Sequence, residues 1–476
     1  MNFQKKTFCS ILLLLSLLVL ASCQPQVEQI FAPTVNPSES TPKAIPTEST
    51  PTQFVLTMTA TPEVQLPEPK PEIIVSSSLK GLRITLVHPW VNEKGDAFEA
   101  IVAEFNETNE LGIEVICRRV AGFEALNEAL IDGTVRDHLV ITRGFDLAGV
   151  DDGTTWINLS DAPGIEGLTQ AGEPCSNCAE YLDQVHQERY ITLLYQPALL
   201  FYNQTWAREL GFEEAPRTPQ ALQAQMQAAA AALLLDADYD NNGAGGLWLS
   251  MTPQSTLAWY RAFEGVFNSD NVLPLFEREP IERAFGYLKD LRGTNGSWRA
   301  QNPTAYQYFG KRNTLAYEGT LDDLLPQEVA FEMAQSTDEW ITLPYPTADG
   351  SGSVSMETIG ISIKPTFDKV EASAAYFVRW LQRPEQMKKL VEVTGLWPVG
   401  GNPSQIAPDY AGQHPAWASA LSPTVRLMVA PEAKNWGLSR LILQDAGMRV
   451  YALDAQFIPT ILDMLDATLV EAGGAE

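Results

Sequence analysis

Residues 82–142 alternate between the apolar patterns of strands and of helices. Apolar and polar residues alternate over Leu82–Val87, which is the period of a half-buried strand. The next segment spaces its apolar residues at i, i+3, i+4 and i+7, as one face of a helix does; these residues are Phe98, Ile101, Val102 and Phe105. The succession continues with a strand at Ile113–Cys117, a helix near Ala125–Ile131 and a strand at Leu139–Thr142. This βαβαβ order predicts a mostly parallel sheet with helices on both faces.

Topology alone places two residues near a binding cleft. Ligands of open parallel sheets gather outside the carboxyl ends of the strands. Trp90 follows the first predicted strand, and the Arg143-Gly144 turn follows the third. We therefore expect Trp90 and Arg143 to line a cleft.

The amino terminus has the parts of a secretory signal. The apolar run Phe8–Leu20 follows two lysines and covers 13 residues, too few for the roughly 20 of a membrane span. It predicts a signal peptide at residues 1–22. The ending Leu20-Ala21-Ser22-Cys23 resembles the bacterial lipobox, in which the cysteine is acylated; the alternative is an ordinary cleavage site with an unrelated cysteine. A lipid on Cys23 would hold the protein on the outer face of the cytoplasmic membrane, as its only membrane contact.

Residues 23–79 are predicted to be the lipidated cysteine and a stalk. Proline, threonine and serine dominate residues 25–71, and glycine is absent from them. Such a composition buries no core, and its prolines favour extended polyproline II geometry. We predict a disordered spacer with a reach on the order of 100–150 Å, at about 3 Å per residue.

Chain length indicates the number of lobes in the folded part, and net charge restricts its binding partners. About 400 residues remain after the stalk, which exceeds a single ordinary core and predicts two lobes. The formal net charge of −27 argues against nucleic acid and against anionic membrane surfaces as partners.

Three cysteines remain beyond Cys23. Cys117 lies in a strand-like run, which favours a buried thiol. Cys175 and Cys178 are spaced for a local disulfide in an oxidising compartment, and two free thiols are the alternative. A redox motif would follow a strand and open a helix, whereas a loop precedes this pair. A zinc site with His186 lacks a fourth ligand in the sequence.

The segment from Leu193 to Pro219 has the features of a known family. Leu193–Asn203 holds Gln196-Pro197 between two apolar runs, and Arg217-Thr218-Pro219 then opens a helix with Thr218 as N-cap and Pro219 at N1. These features resemble the hinge-crossing strand and the following helix of family 1 extracellular solute-binding proteins, the maltose-binding type.

Other segments occur in the order of that family over residues 82–400. They are Phe105-Asn106, Phe309-Gly310-Lys311, Thr314–Gly319, Leu343–Pro346, Ile359–Ile363, Ala374–Phe377, Arg383–Gln386 and Gly395–Pro398. The chain departs from the family at Met356-Glu357-Thr358, where many members have a glycine pair. It departs again at Glu318-Gly319-Thr320, where a tryptophan commonly follows the glycine.

The resemblance implies an α/β, two-lobed periplasmic-binding-protein fold of type II, with a mostly parallel sheet in each lobe and hinge crossings between the lobes. It places lobe 1 at residues 80–192 and 318–366, and lobe 2 at residues 193–317 and 367–476. It also implies a monomer without cofactor or catalytic group, which closes on a small solute and delivers it to the permease subunits of an ABC transporter. An oligosaccharide is the expected solute; polyamines and iron are alternatives, because related folds bind them.

Seven residues are candidate ligand contacts. Tryptophan rings offer flat apolar faces for the C–H faces of sugars. Trp90, Trp248, Trp259, Trp397 and Trp436 could supply such faces, and the first four are candidate contacts. Trp90 and Trp397 lie next to proline in loops, so we expect neither ring to pack in a core. The resemblance places Gln196 on the crossing strand, at the position that touches ligand in the family, and Glu318 at a second crossing. Arg143 is the seventh candidate.

A partial calcium motif lies near the middle of the chain. Asp238, Asp240 and Asn242 place oxygen atoms at alternating positions before Gly243, as in the first half of a calcium loop. The twelfth residue counted from Asp238 is Leu249 instead of glutamate, so a turn without metal is the alternative.

Two other classes of function remain alternatives. A secreted carbohydrate-active enzyme would need two carboxylates about 5 or 7–9 Å apart, and the sequence has no nucleophile elbow or His-Glu-x-x-His motif. A tethered sensor that presents its ligand-bound state to a receptor is the nearer alternative. Permease genes beside this gene would favour import, and a kinase gene would favour sensing.

Overall fold

The computed structural model describes residues 79–157, 189–239, 243–267, 276–300, 304–431 and 433–474. All of them belong to one compact unit, Pro67–Glu476. The predicted signal peptide, Cys23 and most of the stalk lie outside the described residues, as do Cys175, Cys178, Asp240 and Asn242. None of the helices in the described ranges has the length and apolar character to cross a membrane.

The strands and helices are numbered in chain order. The strands are β1 Arg83–His88, β2 Glu114–Arg119, β3 Leu139–Arg143, β4 Ile191–Asn203, β5 Gly245–Trp248, β6 Ser297–Trp298, β7 Thr314–Thr320, β8 Trp340–Leu343, β9 Ser353–Ile363, β10 Trp397–Pro398 and β11 Arg426–Val429. The helices are α1 Asn92–Thr108, α2 Phe123–Ile131, α3 Gly144–Val150, α4 Gln204–Glu209, α5 Pro219–Leu235, α6 Pro253–Ala262, α7 Arg278–Gly293, α8 Tyr306–Gly310, α9 Leu324–Ala334, α10 Asp368–Leu381, α11 Pro384–Thr394, α12 Pro403–Ile406, α13 Pro408–Gln413, α14 Trp436–Ala452 and α15 Ile458–Gly474. Short 3₁₀ turns cover Leu321–Asp323 and Ala455–Phe457.

The sheet joins two parallel groups of strands through two long antiparallel strands. Its order is β2-β1-β3-β9-β4-β7-β5-β6. β1 pairs in parallel with β2 and β3, and β5 pairs in parallel with β6 and β7. Between these groups, β9 pairs antiparallel with β3 and β4, and β4 pairs antiparallel with β7. The α/β class and the βαβαβ succession from β1 to β3 are confirmed.

Strand β4 explains why a proline is tolerated in the middle of a sheet. Proline has no N–H to donate, so it is normally excluded from central strands. Pro197 is the last residue of β4 in register with β9, opposite Met356. The next residue, Ala198, is the first in register with β7, opposite Thr320. Pro197 therefore lies where the strand changes partners, as the predicted crossing strand requires.

The predicted helix start after β4 is confirmed. Thr218 is the N-cap of α5, and its side chain accepts a hydrogen bond from the backbone N–H of Ala221 at 3.2 Å. Pro219 occupies the first helical position, where its missing N–H would have no helical partner in any case.

The buried side chains form one large core and several smaller ones. The large core contains residues of β1, β3, β9, α1 and α10; within it, the rings of Phe105 and Phe377 lie 5.0 Å apart. A second core, here called the helical core, is formed by α6, α7, α14 and α15. Residues 367–421, which the resemblance placed in lobe 2, thus pack with β1 and β3, whereas α14 and α15 pack with α6 and α7. The exact lobe boundaries remain a prediction.

Candidate functional site

Arg143 ends β3 in the position that topology predicted, and it is buried there. Its Nε donates to Asp146 Oδ2 at 2.6 Å, because α3 begins directly after the strand and returns Asp146 one turn later. Its Nη1 donates to Glu124 Oε1 at 3.0 Å, at the start of α2. The guanidinium is therefore fixed between two helices at the carboxyl end of the sheet.

A second ion pair lies beside the first. Glu357 is buried near the middle of β9 and accepts a hydrogen bond from Arg440 Nη1 of α14 at 3.0 Å. In the β9–β4 ladder Glu357 stands opposite Gln196, so this carboxylate belongs to the crossing region. We call Arg143, Asp146, Glu357 and Arg440 together the charged bridge.

Phe145 lies between the two guanidinium groups of the charged bridge. The Cζ of Arg143 is 4.8 Å from the centroid of the Phe145 ring, and the Cζ of Arg440 is 4.3 Å from it. Guanidinium groups within about 6 Å of a ring centroid are attracted by the ring quadrupole. The ring itself is buried in the helical core, so it fixes α3 and α14 against each other.

Burial and neighbouring charges shift the pKa values of the charged bridge in opposite directions. Burial raises the pKa of Glu357 and of Asp146, and the nearby guanidinium groups only partly offset it. Burial lowers the pKa of Arg143, but the facing carboxylates of Asp146, Glu357 and Glu124 outweigh it and the net direction is upward. Arg143 therefore carries its full charge, whereas burial disfavours the charged forms of the two carboxylates.

Several buried polar atoms next to the bridge have no hydrogen-bond partner among the described residues. They are Ser355 Oγ on β9 and, around the start of α14, Asn435 Nδ2, Trp436 Nε1 and Ser439 Oγ. Ser355 is two residues from Glu357, on the same face of its strand, and Ser439 directly precedes Arg440. Polar side chains thus neighbour Glu357 on β9 and Arg440 on α14, and the ion pair between these two residues connects the two elements.

Gln196 connects the crossing strand to two other elements. Its Nε2 donates to Asp322 Oδ2 at 2.5 Å, and Lys94 Nζ of α1 donates to Asp322 Oδ1 at 3.0 Å. Its backbone oxygen accepts from Gln254 Nε2 of α6 at 2.8 Å. The side chain of Gln196 is half-buried, whereas the other residues of β4 are buried. Its role as a ligand contact stays a prediction, supported by this position.

Protein donors surround the carboxylate of Glu318, and its role as a ligand contact stays a prediction. Glu318 is buried on β7. Its Oε2 accepts from Ser250 N at 2.8 Å, Ser250 Oγ at 2.9 Å and Met251 N at 3.0 Å, and its Oε1 accepts from Trp259 Nε1 at 2.6 Å. A carboxylate has about four acceptor sites, so protein donors use the capacity of this one. Glu318 shapes the loop after β5, in which Met251 has φ 53°.

The expectation that Trp90 and Trp397 stay out of a core is wrong, whereas their role as ligand contacts stays a prediction. Trp90 is 6% exposed, and its ring lies 4.7 Å from that of Phe98. Trp397 is 2% exposed, and its Nε1 donates to the backbone oxygen of Trp417 at 3.1 Å. Both rings belong to the large core; Trp397 lies there because β10 pairs with the crossing strand β4, opposite Tyr195.

The other two candidate tryptophans are buried as well. Trp259 is fully buried and packs on Tyr345 at 4.9 Å. Trp248 ends β5 beside Trp298 of β6, at the carboxyl edge of the second parallel group. Nε1 of Trp248 and Nε1 of Trp298 find no hydrogen-bond partner in the part of the chain that the structure describes. Trp248 is thus the candidate ring whose surroundings best suit a polar ligand.

The calcium motif is only partly described. Asp238 is exposed, and its N–H donates to Asp236 Oδ1 at 2.9 Å, as in a turn. Within the described ranges no group of three His, Cys, Asp or Glu side chains is placed to hold a metal ion. Asp240 and Asn242 lie outside those ranges, so calcium binding stays a prediction.

Cys117 is a half-buried free thiol, and burial raises its pKa to about 12.

The residues that sequence reasoning missed are Asp146, Arg440 and Phe145, and it noted Glu357 only as a departure from the family. A usable signal was present. Glu357 is the one charged residue of Ser353–Ile363, and Arg440 is the one charged residue between Trp436 and Leu443. A single charged residue in an apolar run either reaches the surface or is buried with a partner of opposite charge. Two such runs, one with a glutamate and one with an arginine, therefore indicate an ion pair between them.

Comparisons with known proteins agree with this fold. The family model described as bacterial extracellular solute-binding protein matches residues 100–412. No curated protein matches the sequence. Among solved structures, a cyclic alpha-maltosyl-1,6-maltose binding protein from Arthrobacter globiformis is similar with a TM-score of 0.65 and 18% identity, over 82% of this chain and 100% of that one. An ABC substrate-binding protein from Listeria monocytogenes, in complex with cycloalternan, has a TM-score of 0.63 and 14% identity, over 83% and 100%.

A maltotriose binding protein from Thermus thermophilus is also similar, with a TM-score of 0.58 and 15% identity over 82% of this chain and 99% of that one. At these identities the likeness shows a shared fold, which confirms the solute-binding-protein architecture. The family model covers well over half of the chain. This chain belongs to the bacterial extracellular solute-binding protein family.

Proposed function

We propose that the protein captures an oligosaccharide outside the cell and delivers it to the permease subunits of an ABC importer, while a lipid on Cys23 holds it at the membrane. Membership of the family supports capture of a solute by a binding protein. The similar structures include proteins whose names state maltotriose and maltose-type ligands, which favours a sugar. The lipobox-like ending at Cys23 supports the anchor.

The observation that carries the proposal is the mixed chemistry where β9 meets α14. A sugar hydroxyl both donates and accepts a hydrogen bond. The site offers guanidinium donors at Arg143 and Arg440 and carboxylate acceptors at Asp146 and Glu357, and the hydroxyls of Ser355 and Ser439 beside them can do both. A site for a simple cation would present carboxylates without buried arginines, and a site for a simple anion would present the reverse.

Binding by the mature full chain tests the proposal. The chain is screened by thermal shift against maltose, maltotriose, cyclic glucans, putrescine and spermidine. A ligand at 100 times its Kd stabilises the folded state by about 2.7 kcal/mol, so one oligosaccharide should raise the Tm clearly. Asp146→Asn should weaken that binding, whereas Asp445→Asn, on the exposed side of α14, should not.

Two results would overturn the proposal. An increase in Tm with the polyamines but with none of the sugars would indicate a cationic solute. Conversion of the sugar to a product, monitored by chromatography of the mixture, would show that the protein is an enzyme.

A further inference from the structure

Helices α14 and α15 are apolar on their outer side as well as on their buried side. Their inner sides pack in the helical core, and the outer side of a surface helix is normally polar. Here the outer side carries four apolar residues that are 40–50% exposed, which we call the apolar face: Leu438, Leu441, Met448 and Met464. The connection between the helices adds Leu453 and Phe457, which are 45% and 43% exposed. Exposed apolar side chains that are grouped in this way mark an interaction surface.

A groove between the two helices opens onto the apolar face. Its volume is about 290 Å³, and its apolar lining includes Leu441, Ile442, Ile461 and Met464. One water molecule occupies about 30 Å³, so the groove has room for side chains of another molecule. Leu441 and Met464 belong both to the face and to the groove, which therefore form one continuous surface.

The charged residues beside this surface are arranged for a two-fold axis. Asp445 and Arg449 lie one turn apart on the exposed side of α14 and pair at 2.7 Å. When two copies of a helix pack antiparallel about a two-fold axis, residues at equal distances from the axis lie opposite each other. With the axis at the level of Gly447, Asp445 lies opposite Arg449 of the second copy. Leu441 lies opposite Leu453 in the same way, because each is six residues from Gly447. The surface is thus complementary to itself.

Charge disfavours a membrane as the occupant of this surface. The formal net charge of the chain is −27, which repels anionic lipid. Close to the groove, Asp463 and Asp466 of α15 outnumber Arg278, the arginine that pairs with both. A surface with both charge signs on α14 and an apolar centre fits a second copy of this chain better than lipid headgroups.

From these observations we infer that two copies of the chain associate through α14 and α15, antiparallel about a two-fold axis at Gly447. The apolar face, the connection and the charged rim cover roughly 500 Å² per copy, so the dimer buries about 1,000 Å², the lower limit of specific interfaces. Its Kd is therefore on the order of 10 μM. The charges fix the register, since exposed ion pairs add little affinity. This dimer departs from the monomer that the resemblance implies, and it does not depend on the solute.

Sedimentation velocity between about 1 and 100 μM protein tests the association. The sample is the mature chain, residues 23–476, produced without its signal peptide so that no lipid is attached. Its mean mass should rise from that of a monomer towards that of a dimer. Leu441→Glu places a charge in the apolar groove and should raise the Kd at least tenfold. Leu234→Glu is the matched control, because Leu234 of α5 is 51% exposed and Leu441 is 49% exposed.

A charge exchange tests the register in the same assay. Asp445→Arg places like charges opposite each other at two symmetric points and should also raise the Kd. The double variant Asp445→Arg with Arg449→Asp should return the Kd to within about threefold of the wild type, because opposite charges again face each other. A double variant that dimerises no better than Asp445→Arg would overturn the register.

Cross-linking of the full lipidated chain in membranes tests the position of the axis. A helix rises 1.5 Å per residue, so the two copies of residue 448 lie about 3 Å apart along the helix, and those of residue 438 about 27 Å apart. A short bis-maleimide linker should therefore join Met448→Cys into a dimer and leave Leu438→Cys monomeric. The wild-type chain measures the background from its own cysteines.

Four results would overturn the dimer. The first three are a monomeric mass at every concentration, an equal effect of Leu234→Glu, and equal cross-linking of Leu438→Cys and Met448→Cys. The fourth is a monomer whose Tm falls with Leu441→Glu, which would show that a segment of the same chain covers the apolar face. The outcome is separable from the proposed function, because a dimer that binds no sugar would keep this inference, and a sugar-binding monomer would keep only the function.

Discussion

The indole Nε1 of Trp259 donates to Glu318 Oε1 at 2.6 Å, so α6 is attached to β7, the strand of the second parallel group that pairs with the crossing strand β4. The other oxygen of Glu318 holds the loop after β5 through three donors. Two residues that the sequence offered as ligand contacts thus bind each other. Their partnership fixes the loop from Ser250 to Thr252, which leads into α6.

Glu318→Gln should destabilise the protein. The amide places an NH2 group where N–H and O–H donors converge, and a hydrogen bond to a charged group contributes about 1.5–3 kcal/mol. We expect a loss of about 3 kcal/mol in the free energy of unfolding, measured by urea denaturation. Glu107→Gln, at an exposed position of α1, is the control. A Glu318→Gln variant as stable as the control would show that the four donors are satisfied in another way.

Trp397→Ala should act on folding before it acts on binding. The ring is buried, and truncation of a buried tryptophan costs about 3–5 kcal/mol. Trp397→Phe, which loses the hydrogen bond to the Trp417 carbonyl but keeps a ring, should cost less than half of that. Urea midpoints of the two variants measure the difference. An alanine variant with wild-type stability and weakened sugar binding would restore the original cleft prediction.

The sequence predicted the β1–α1–β2–α2–β3 part of the fold because the apolar spacing of β1, β2 and the two helices follows their buried positions, and because β3, which is buried throughout, is a short continuous apolar run. Strand β9 is buried on both faces, and Ser353, Ser355 and Glu357 interrupt its apolar run; the pattern therefore marks only Ile359–Ile363. The packing of Trp397 was also out of reach. Its partner Trp417 lies 20 residues along the chain, and periodicity identifies faces but not partners.

The stability of the protein should depend on His88 between pH 7 and pH 5. Burial lowers the pKa of His88, although a hydrogen bond with Glu99 partly opposes this. The folded state thus prefers the neutral ring. As pH falls below about 6.5, the unfolded chain binds a proton that the folded chain does not, and stability is lost. Above that pH the contribution is fully present.

His88→Gln should flatten this part of the pH profile. Urea midpoints at pH 5, 6, 7 and 8 are compared between wild type and variant, and the difference between the two curves isolates His88 from the carboxylates. Parallel curves over the whole range would show that His88 titrates alike in the folded and unfolded states.

Cys23→Ser should prevent lipidation. Without the thiol, the lipobox-like ending offers no acceptor for the acyl chains, so we expect the protein to be released or to keep its signal peptide. Membrane fractionation and intact mass measure both results. Normal processing together with membrane attachment would remove the lipoprotein prediction.

Gln196→Ala should separate binding from folding. Asp322 links Gln196 to Lys94, but the side chains of Lys94 and Asp322 are 38% and 45% exposed, and an ion pair with that exposure contributes about 0–1 kcal/mol. The free energy of unfolding should therefore change by less than about 1 kcal/mol.

If Gln196 touches the solute, as its half-buried position on the crossing strand supports, the variant should bind at least tenfold more weakly, which corresponds to about 1.4 kcal/mol. Isothermal titration with the oligosaccharide that gives the largest thermal shift measures this effect, and Gln220→Ala, exposed in α5, is the control. Equal affinity of the Gln196 variant and the control would move the binding site away from the crossing strand, because a direct hydrogen bond to the solute could not be lost without a change in Kd.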